Sequence, residues 1–156
     1  MSKFIDKLSW LGIIPIAIAI IIYLYNTQVL EKQTENFEEI MFQKLMDLKL
    51  PPKTRLVKTE RYHKSTSAIV ISDYRSTFSN EGIIRHYKEA LKNDGWELCC
   101  DEKNTNDNPP YITVNLQNRD FTAAVNIFIP KEKSIERKFS VSIAYGLGEG
   151  CRKCNY

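Results

Sequence analysis

The sequence predicts an α+β protein with an N-terminal transmembrane helix and an amphipathic helix, followed by an antiparallel sheet with one helix packed on one face. Three observations support this prediction. Residues 10–25 carry no charge, residues 26–50 have apolar residues at helical spacing, and residues 51–146 show strand patterns around a single helix pattern, in the order ββαββββ. A length of 156 residues suits one modest domain.

The overall composition excludes several classes of protein. The chain has 22 basic and 19 acidic residues, a formal net charge of +3, which is too mild for a dedicated nucleic-acid-binding protein. Its 43% of hydrophobic residues is too high for a disordered chain. We therefore expect a folded protein without a nucleic-acid partner.

Residues 10–25 are predicted to be a transmembrane signal-anchor. They span about 24 Å as a helix, and the apolar turn before them extends this to the roughly 30 Å of a hydrocarbon core. Trp10 at one end, and Tyr23 and Tyr25 at the other, suit the two membrane interfaces. A buried core helix would need a polar face. A cleaved signal peptide is the other alternative, although apolar residues continue after the small-residue pattern at 17–19.

The charges that flank this segment predict its orientation. Lys3 and Lys7 precede the segment, and only Lys32 follows it closely. The positive-inside rule then places residues 1–9 in the cytoplasm as a short tail. The predicted location is the cytoplasmic membrane, crossed once, with the C-terminal domain outside.

Residues 26–50 are predicted to form an amphipathic linker helix that ends at Pro51-Pro52. Its apolar stripe consists of Leu30, Phe37, Met41, Leu45 and Leu48. Its polar faces carry Glu31, Lys32, Glu35, Glu38 and Lys44. The stripe is expected to pack on the domain of the same chain. The alternative is a homodimer that pairs through residues 30–48.

Residues 51–146 are predicted to form the α+β domain. Ser79 is expected to cap its helix, and Gly95 to end the helix as a left-handed residue. Tyr87 is expected on the buried side of this helix, and Trp96 is expected to anchor the helix to the sheet. The predicted strands are residues 55–63, 67–74, 96–99, 111–117, 121–129 and 137–145.

The stretch from Tyr74 to Trp96 contains a serine-capped helix with the pattern Tyr-x-x-x-Leu-x-x-x-Gly-Trp at residues 87–96. It resembles small bacterial extracytoplasmic domains, which are often membrane-anchored or lipoproteins. The opening Pro-Pro-Lys-Thr at residues 51–54 also fits these domains. The resemblance covers about residues 51–146 and implies a helix on an antiparallel sheet. Its motifs are capping and packing residues and imply no activity, and this chain lacks a lipidated cysteine.

The four cysteines are Cys99, Cys100, Cys151 and Cys154. Outside the cytoplasm they can form disulfides, and bridges from the Gly/Cys tail (residues 147–156) to the strand would hold the C-terminus. Adjacent strand residues point to opposite faces, so one strand cysteine is expected to be buried. The sequence leaves open a bridge within the tail in place of these, and free or buried thiols, a redox pair of Cys151 and Cys154, and a zinc site are the alternatives.

The one cluster of cations is a candidate contact patch for anionic headgroups or an acidic partner: Lys53, Arg55, Lys58, Arg61 and Lys64. Strand alternation places Arg55 and Arg61 on the face of His63. It places Lys58 and Lys64 on the other face. The alternative is a solvated strand edge whose charges prevent aggregation. His63 and His86 have no partner at a metal-ligand spacing and are expected at the surface.

No nucleophile elbow, phosphate-binding loop, dinucleotide fingerprint or metalloprotease helix occurs in the sequence. We therefore predict a protein without catalytic activity, metal or cofactor, whose domain binds a protein or an envelope component. The alternatives are an immunity-type protein that blocks a toxin at the membrane, and a thiol oxidoreductase that uses Cys151 and Cys154.

Overall fold

The computed structural model describes the backbone of residues 2–64, 66–107, 109–129 and 136–146, and the side chains of these residues from 15 onward. Its elements are α1 (Ser2–Asp47), β1 (Thr54–Lys64), β2 (Ser67–Ser76), α2 (Asn80–Asn93), β3 (Glu97–Asn104), β4 (Tyr111–Asn118), β5 (Phe121–Phe128) and β6 (Arg137–Tyr145). The predicted α+β class with an antiparallel sheet is confirmed, and the elements follow roughly the predicted order.

The six strands form one antiparallel sheet in the order β1-β2-β6-β5-β4-β3. Strands β3 to β6 form a meander, in which each strand pairs with the next in sequence. A pairing between strands far apart in the sequence joins this meander to the first two strands, because β6 lies beside β2. The two edges of the sheet are therefore β1 and β3.

One face of the sheet is packed against helices. Strand β2 shows the reason, because its side chains alternate between buried and half-buried positions along its whole length. Val70 and Tyr74 point to the packed face, opposite Ile143 and Phe139 of β6. Cross-strand partners share a face, so this alternation runs through the central strands and builds one core.

Two helices cover this face: the helix that the sequence predicted there, and the linker helix, whose stripe was expected to pack on its own domain. The second is the C-terminal part of α1, whose Met41 and Leu45 are almost fully buried in the same core. The linker stripe thus packs on its own domain from Thr34 onward, while Leu30 stays exposed. The homodimer through residues 30–48 remains a prediction, and only the part before Thr34 has its stripe free for pairing.

Local signals explain the limits of α2. The hydroxyl of Ser79 accepts a hydrogen bond from the backbone N–H of Gly82 (3.1 Å) and caps the first turn. The ring of Phe78 closes over this turn so tightly that a Cβ on Gly82 would lie 2.6 Å from it. After the helix, Gly95 turns the chain with a φ of 81°, and Trp96 is buried against the sheet.

The centre of the core is aromatic. The ring of Tyr87, from α2, meets Phe139 edge-on, and Phe139 in turn stacks on Tyr74 with ring centroids 5.1 Å apart. Burial raises the pKa of Tyr87 well above its ordinary value. These contacts tie α2 to β6 and, through Phe139, to β2.

Coming from its N-terminus, helix α1 first contacts the sheet at one end of the strands. Phe37 packs against Tyr145 and Phe121, with ring centroids 4.1 and 5.8 Å away. We call this the proximal end, and the opposite end, with Tyr111 and Phe128, the distal end. Between residues 15 and 33 no side chain of α1 is buried, so this part of the helix extends beyond the domain.

Candidate functional site

The part of α1 beyond the proximal end carries an exposed apolar segment. Its large side chains are each between 51% and 68% exposed: Ile16, Ile18, Ile20, Ile21, Ile22, Tyr23, Leu24 and Tyr25. Because consecutive residues are included, the segment is apolar on all sides of the helix. In soluble proteins such a helix is buried, since exposing apolar surface costs about 25 cal/mol per Å².

Over the part of the chain that the structure describes, no helix combines the length and apolarity that a bilayer crossing requires. The predicted span begins at Trp10, and the side chains of residues 10–14 lie outside the described part. The side chains of the predicted cytoplasmic tail, residues 1–9, lie outside it as well.

The exposed helix is joined to the domain by a charge cluster around one buried carboxylate. Glu38 is only 6% exposed, although the sequence placed it on a polar face of the helix. Arg61 of β1 donates hydrogen bonds to Glu38 (2.6 Å) and Glu39 (2.7 Å), and its guanidinium lies over the ring of Phe42. His63 contacts the second oxygen of Glu38. We call Glu38, Arg61 and His63 the clamp.

The environment of Glu38 makes the clamp sensitive to acid. Burial alone would raise the pKa of Glu38, but hydrogen bonds from Arg61 and His63 outweigh it and hold the pKa below its ordinary value of 4.5. Because the pKa of Glu38 is lower in the folded state than in the unfolded state, its ionised form stabilises the fold at pH values above the unfolded-state pKa. This stabilisation is lost as the pH falls through the folded-state pKa.

We therefore expect the free energy of unfolding to fall more steeply below about pH 4.5 in the wild type than in Glu38→Gln, because the variant has no carboxylate to protonate. Urea unfolding at a series of pH values, followed by circular dichroism, measures this difference. Glu35→Gln, on the exposed side of the same helix, is the matched control and should follow the wild type. Parallel curves for wild type and Glu38→Gln would contradict the prediction.

A second ion pair joins the two helices. Lys44 of α1 donates a hydrogen bond to Asp94 (2.9 Å), and this bond, with one from Trp96 Nε1, holds the pKa of Asp94 below its ordinary value. Two open grooves meet at Lys44, one towards the β4–β5 turn and one between the helices. Because Lys44 and Asp94 neutralise each other, the pair positions α1 on α2.

The predicted cationic patch is spread along the edge strand β1, with Lys53 directly before it. A bulge at Val57 shifts the pairing, so Arg55 lies on the face of Lys58 and Lys64, not on that of Arg61 and His63 as alternation predicted. Three of the cations have acidic partners within the domain: Arg55 binds Glu136, Lys58 binds Glu60 and Asp73, and Arg61 belongs to the clamp. Contact with headgroups or a partner remains a prediction.

The other face of the sheet is covered by no described helix. Its central part, on β4, β5 and β6, consists of Tyr111, Thr113, Asn115, Gln117, Thr122, Ala124, Asn126, Phe128, Ser140, Ser142 and Ala144. We call these residues the neutral face, because none of them is charged; Lys138 of β6 lies on the same face at the distal end. Asp73 of β2 and Glu102 of β3 lie beside this set on the same face. Within the set, Thr113, Ser140 and Ala144 are buried.

The neutral face differs between its two ends. Towards the proximal end its side chains are small or amide-bearing, and Thr113 donates a hydrogen bond to Asn126 (2.6 Å) near its middle. At the distal end Tyr111 and Phe128 lie opposite each other on neighbouring strands. The adjoining part of the same row carries Lys138, Arg75 and Arg55, of which the two arginines share Glu136. The distal end therefore combines aromatic rings with charges of both signs, because Asp73 and Glu102 lie on the same face.

Cys99 and Cys100 lie on the edge strand β3, and neither is a free thiol. A bulge between Leu98 and Cys100 breaks the expected alternation, and both cysteines are half-buried instead of one being buried. Their predicted partners Cys151 and Cys154, with the rest of the tail at 147–156, lie outside the described residues, so the disulfides remain a prediction. Among the described side chains no cluster suited to a metal ion occurs.

Sequence reasoning located the cations, the cysteines and the apolar segment, but it missed the buried position of Glu38 and the neutral face. The sequence carries a signal for the neutral face, because every residue of the predicted strands 111–117 and 121–129 is uncharged. No protein-family model and no curated protein matches the sequence. The fold and the surfaces described above therefore carry the functional argument.

Proposed function

We propose that the protein is a single-pass membrane protein whose α+β domain, outside the cytoplasmic membrane, binds a protein or an envelope component. The observation that carries the proposal is the apolar segment from Ile16 to Tyr25, exposed on all sides of an intact helix. Lipid would remove this surface from water, and the aromatic pair Tyr23 and Tyr25 would lie at the interface. The resemblance of residues 51–146 to extracytoplasmic domains supports the same location.

In this proposal, the part of α1 after the apolar segment separates the domain from the membrane. From Tyr25 to the first buried residue, Thr34, the helix rises about 14 Å at 1.5 Å per residue. The proximal end of the sheet then faces the membrane, and the distal end points away from it. The clamp holds the helix in this arrangement.

The distal end of the neutral face is the surface we propose for the partner. Tyr111 and Phe128 offer aromatic area of the kind that dominates binding energy at interfaces. The neighbouring cations Lys138, Arg75 and Arg55 are matched by nearby carboxylates, namely Glu136, Asp73 and Glu102, so the aromatic area is the feature that the partner is expected to cover. This surface also lies farthest from the membrane, where a partner has access.

Membrane anchoring is tested with a charge in the apolar segment. Ile20→Asp is expected to move most of the protein out of the membrane fraction, because an aspartate at the centre of a span costs about 2.5–3.5 kcal/mol. Gln28→Asp, two turns further along the same exposed helix, is the matched control and should stay in the membrane. Fractionation of cells at alkaline pH and immunoblotting measure the distribution.

Orientation is measured on intact cells with a membrane-impermeant thiol reagent, before and after reduction. Labelling that requires reduction places the cysteines outside and in disulfides.

Membrane retention of Ile20→Asp equal to that of Gln28→Asp would contradict the anchor. Among the residues described, no particular contact favours the immunity-type or the oxidoreductase alternative.

A further inference from the structure

Strand β1 forms an open edge of the sheet beside helix α1. Its inner side pairs with β2 from Thr54 to Lys64. On its outer side, no backbone of the described residues is hydrogen-bonded to it. An edge strand of this kind presents a row of N–H and C=O groups with which another extended chain can pair.

The bulge in β1 exposes two consecutive apolar residues at this edge. Leu56 pairs with the buried Tyr74 and therefore lies on the packed side of the sheet, and Val57 is the inserted residue. Their side chains are 45% and 50% exposed. The edge thus offers apolar area next to the unpaired backbone groups.

Helix α1 runs along β1 in the opposite direction. Glu38 contacts His63, and Phe42, one turn further along the helix, lies under the guanidinium of Arg61. The later residues of α1 therefore lie beside the earlier residues of β1. The side of α1 that carries Phe42 is the side that faces β1.

This arrangement brings Met46 to the bulge. Met46 lies one turn after Phe42 on the same side of the helix, about 12 Å beyond Glu38 at 1.5 Å per residue. Val57 lies about 13 Å from Arg61, the partner of Glu38, at 3.3 Å per residue. We call Phe42, Met46, Leu56 and Val57 the edge strip.

The charges along β1 are matched within the domain. Each charged side chain from Arg55 to His63 has a partner: Arg55 binds Glu136, Lys58 binds Glu60 and Asp73, and Arg61 and His63 bind Glu38. A segment that lies along the edge needs no charge of its own to pair with these groups. Its side chains towards α1 meet the apolar edge strip.

The direction of α1 favours a different protein over a second copy as the occupant, and this step rests on the proposed membrane anchor. Two antiparallel β1 strands would be related by a twofold axis perpendicular to the sheet. That axis reverses α1, so the apolar segments of the two copies would point in opposite directions and could not enter one membrane. A parallel twofold pair would place the two edge strips on opposite faces of the joined sheet.

We propose that the outer edge of β1 binds an extended, uncharged segment of another protein as an additional strand of the sheet, with apolar side chains of that segment on the edge strip. Backbone hydrogen bonds supply the affinity, and the edge strip selects apolar residues at alternate positions. The site lies at the side of the sheet and is separate from the aromatic distal end.

Hydrogen exchange of the full-length protein in mild detergent tests the proposal. The probe is a short, acetylated and amidated peptide of alternating threonine and valine, and its control is the same peptide with every backbone nitrogen methylated. We expect the probe to slow exchange over residues 55–63 at least fivefold and to leave the other edge, residues 97–104, unchanged. No slowing, equal slowing at both edges, or equal slowing by the methylated peptide would overturn the proposal.

A matched pair of variants tests the edge strip. Val57→Asp is expected to raise the peptide concentration for half-maximal protection at least tenfold, whereas Ile40→Asp, at a residue of α1 that is 38% exposed, should leave it unchanged. Equal effects of the two substitutions would overturn the role of the strip. Circular dichroism verifies folding, and the comparison of the two peptides on the wild type stands if either variant does not fold.

Protein concentration and the anchor variant separate the remaining outcomes. Protection of residues 55–63 that rises with protein concentration in the absence of peptide would identify a second copy as the occupant and overturn the proposal. Ile20→Asp is expected to bind the peptide like the wild type, because the apolar segment does not contact β1. Failure of the membrane anchor is therefore distinguishable from failure of the edge site.

Discussion

Trp96→Ala is expected to lower the free energy of unfolding by about 3–5 kcal/mol, the range for removing a large aromatic side chain from a core. Trp96 is 2% exposed and belongs to the main hydrophobic cluster. Its ring fills the space between the end of α2 and the sheet, directly after the left-handed Gly95. Its indole N–H also donates to Asp94 (3.2 Å), so the substitution removes both packing and a link to the α1–α2 ion pair.

The measurement is urea unfolding of the full-length protein in detergent, followed by far-ultraviolet circular dichroism. Leu98→Ala is the control, because Leu98 lies two residues further along the chain but is 53% exposed. Its substitution is expected to change stability by no more than about 0.5 kcal/mol. Trp96→Phe keeps most of the apolar volume and should lie between the two. A loss below about 1 kcal/mol in Trp96→Ala would show that the ring does not anchor α2.

Arg61→Ala is expected to destabilise the protein by about 2–3 kcal/mol, because it leaves the buried carboxylate of Glu38 without its main partner. The expected loss is below the 3–5 kcal/mol of a fully buried pair, since the Arg61 side chain is 36% exposed. His63 is the remaining contact of Glu38 within the clamp. The loss of the guanidinium over Phe42 adds to the effect.

A double-mutant cycle separates the charge from the packing. In the Glu38→Gln background, Arg61→Ala should cost much less, because no buried charge is then left unpaired. Glu39→Gln is the control for the exposed hydrogen bond of Arg61 and should leave stability nearly unchanged. Equal costs of Arg61→Ala in the two backgrounds would show that the clamp acts through packing alone. Urea unfolding at neutral pH provides all four free energies.

Local patterns in the sequence were sufficient for the elements of the fold. The alternation in β2, the serine before α2 and the glycine after it are short-range signals, and the structure places strands and a helix there. The apolar stripe of the linker was equally visible. Whether that stripe meets its own sheet or a second copy depends on distant residues, and only the packing of Met41 and Leu45 decided it.

The errors at the candidate site have one physical origin, the pairing between strands. A bulge inserts a single residue into one of two paired strands. The bulge in β1 reverses the face of Arg55, and the bulge in β3 brings both cysteines to a half-buried position. Nothing within the strand itself signals the insertion. The polar side of a helix likewise becomes an interior when another strand closes over it, as β1 does over Glu38.

The sequence by itself determined the apolar segment, the boundaries of most strands, the capping of α2 and the presence of four cysteines, because these depend on neighbours within one or two turns. The tertiary structure decided that Glu38 is buried beside Arg61, that uncharged residues of three strands lie together on one face, and that Asn115 of this face contacts Cys100. Those properties arise from contacts between residues far apart in the chain, and the order of strands in the sheet creates them.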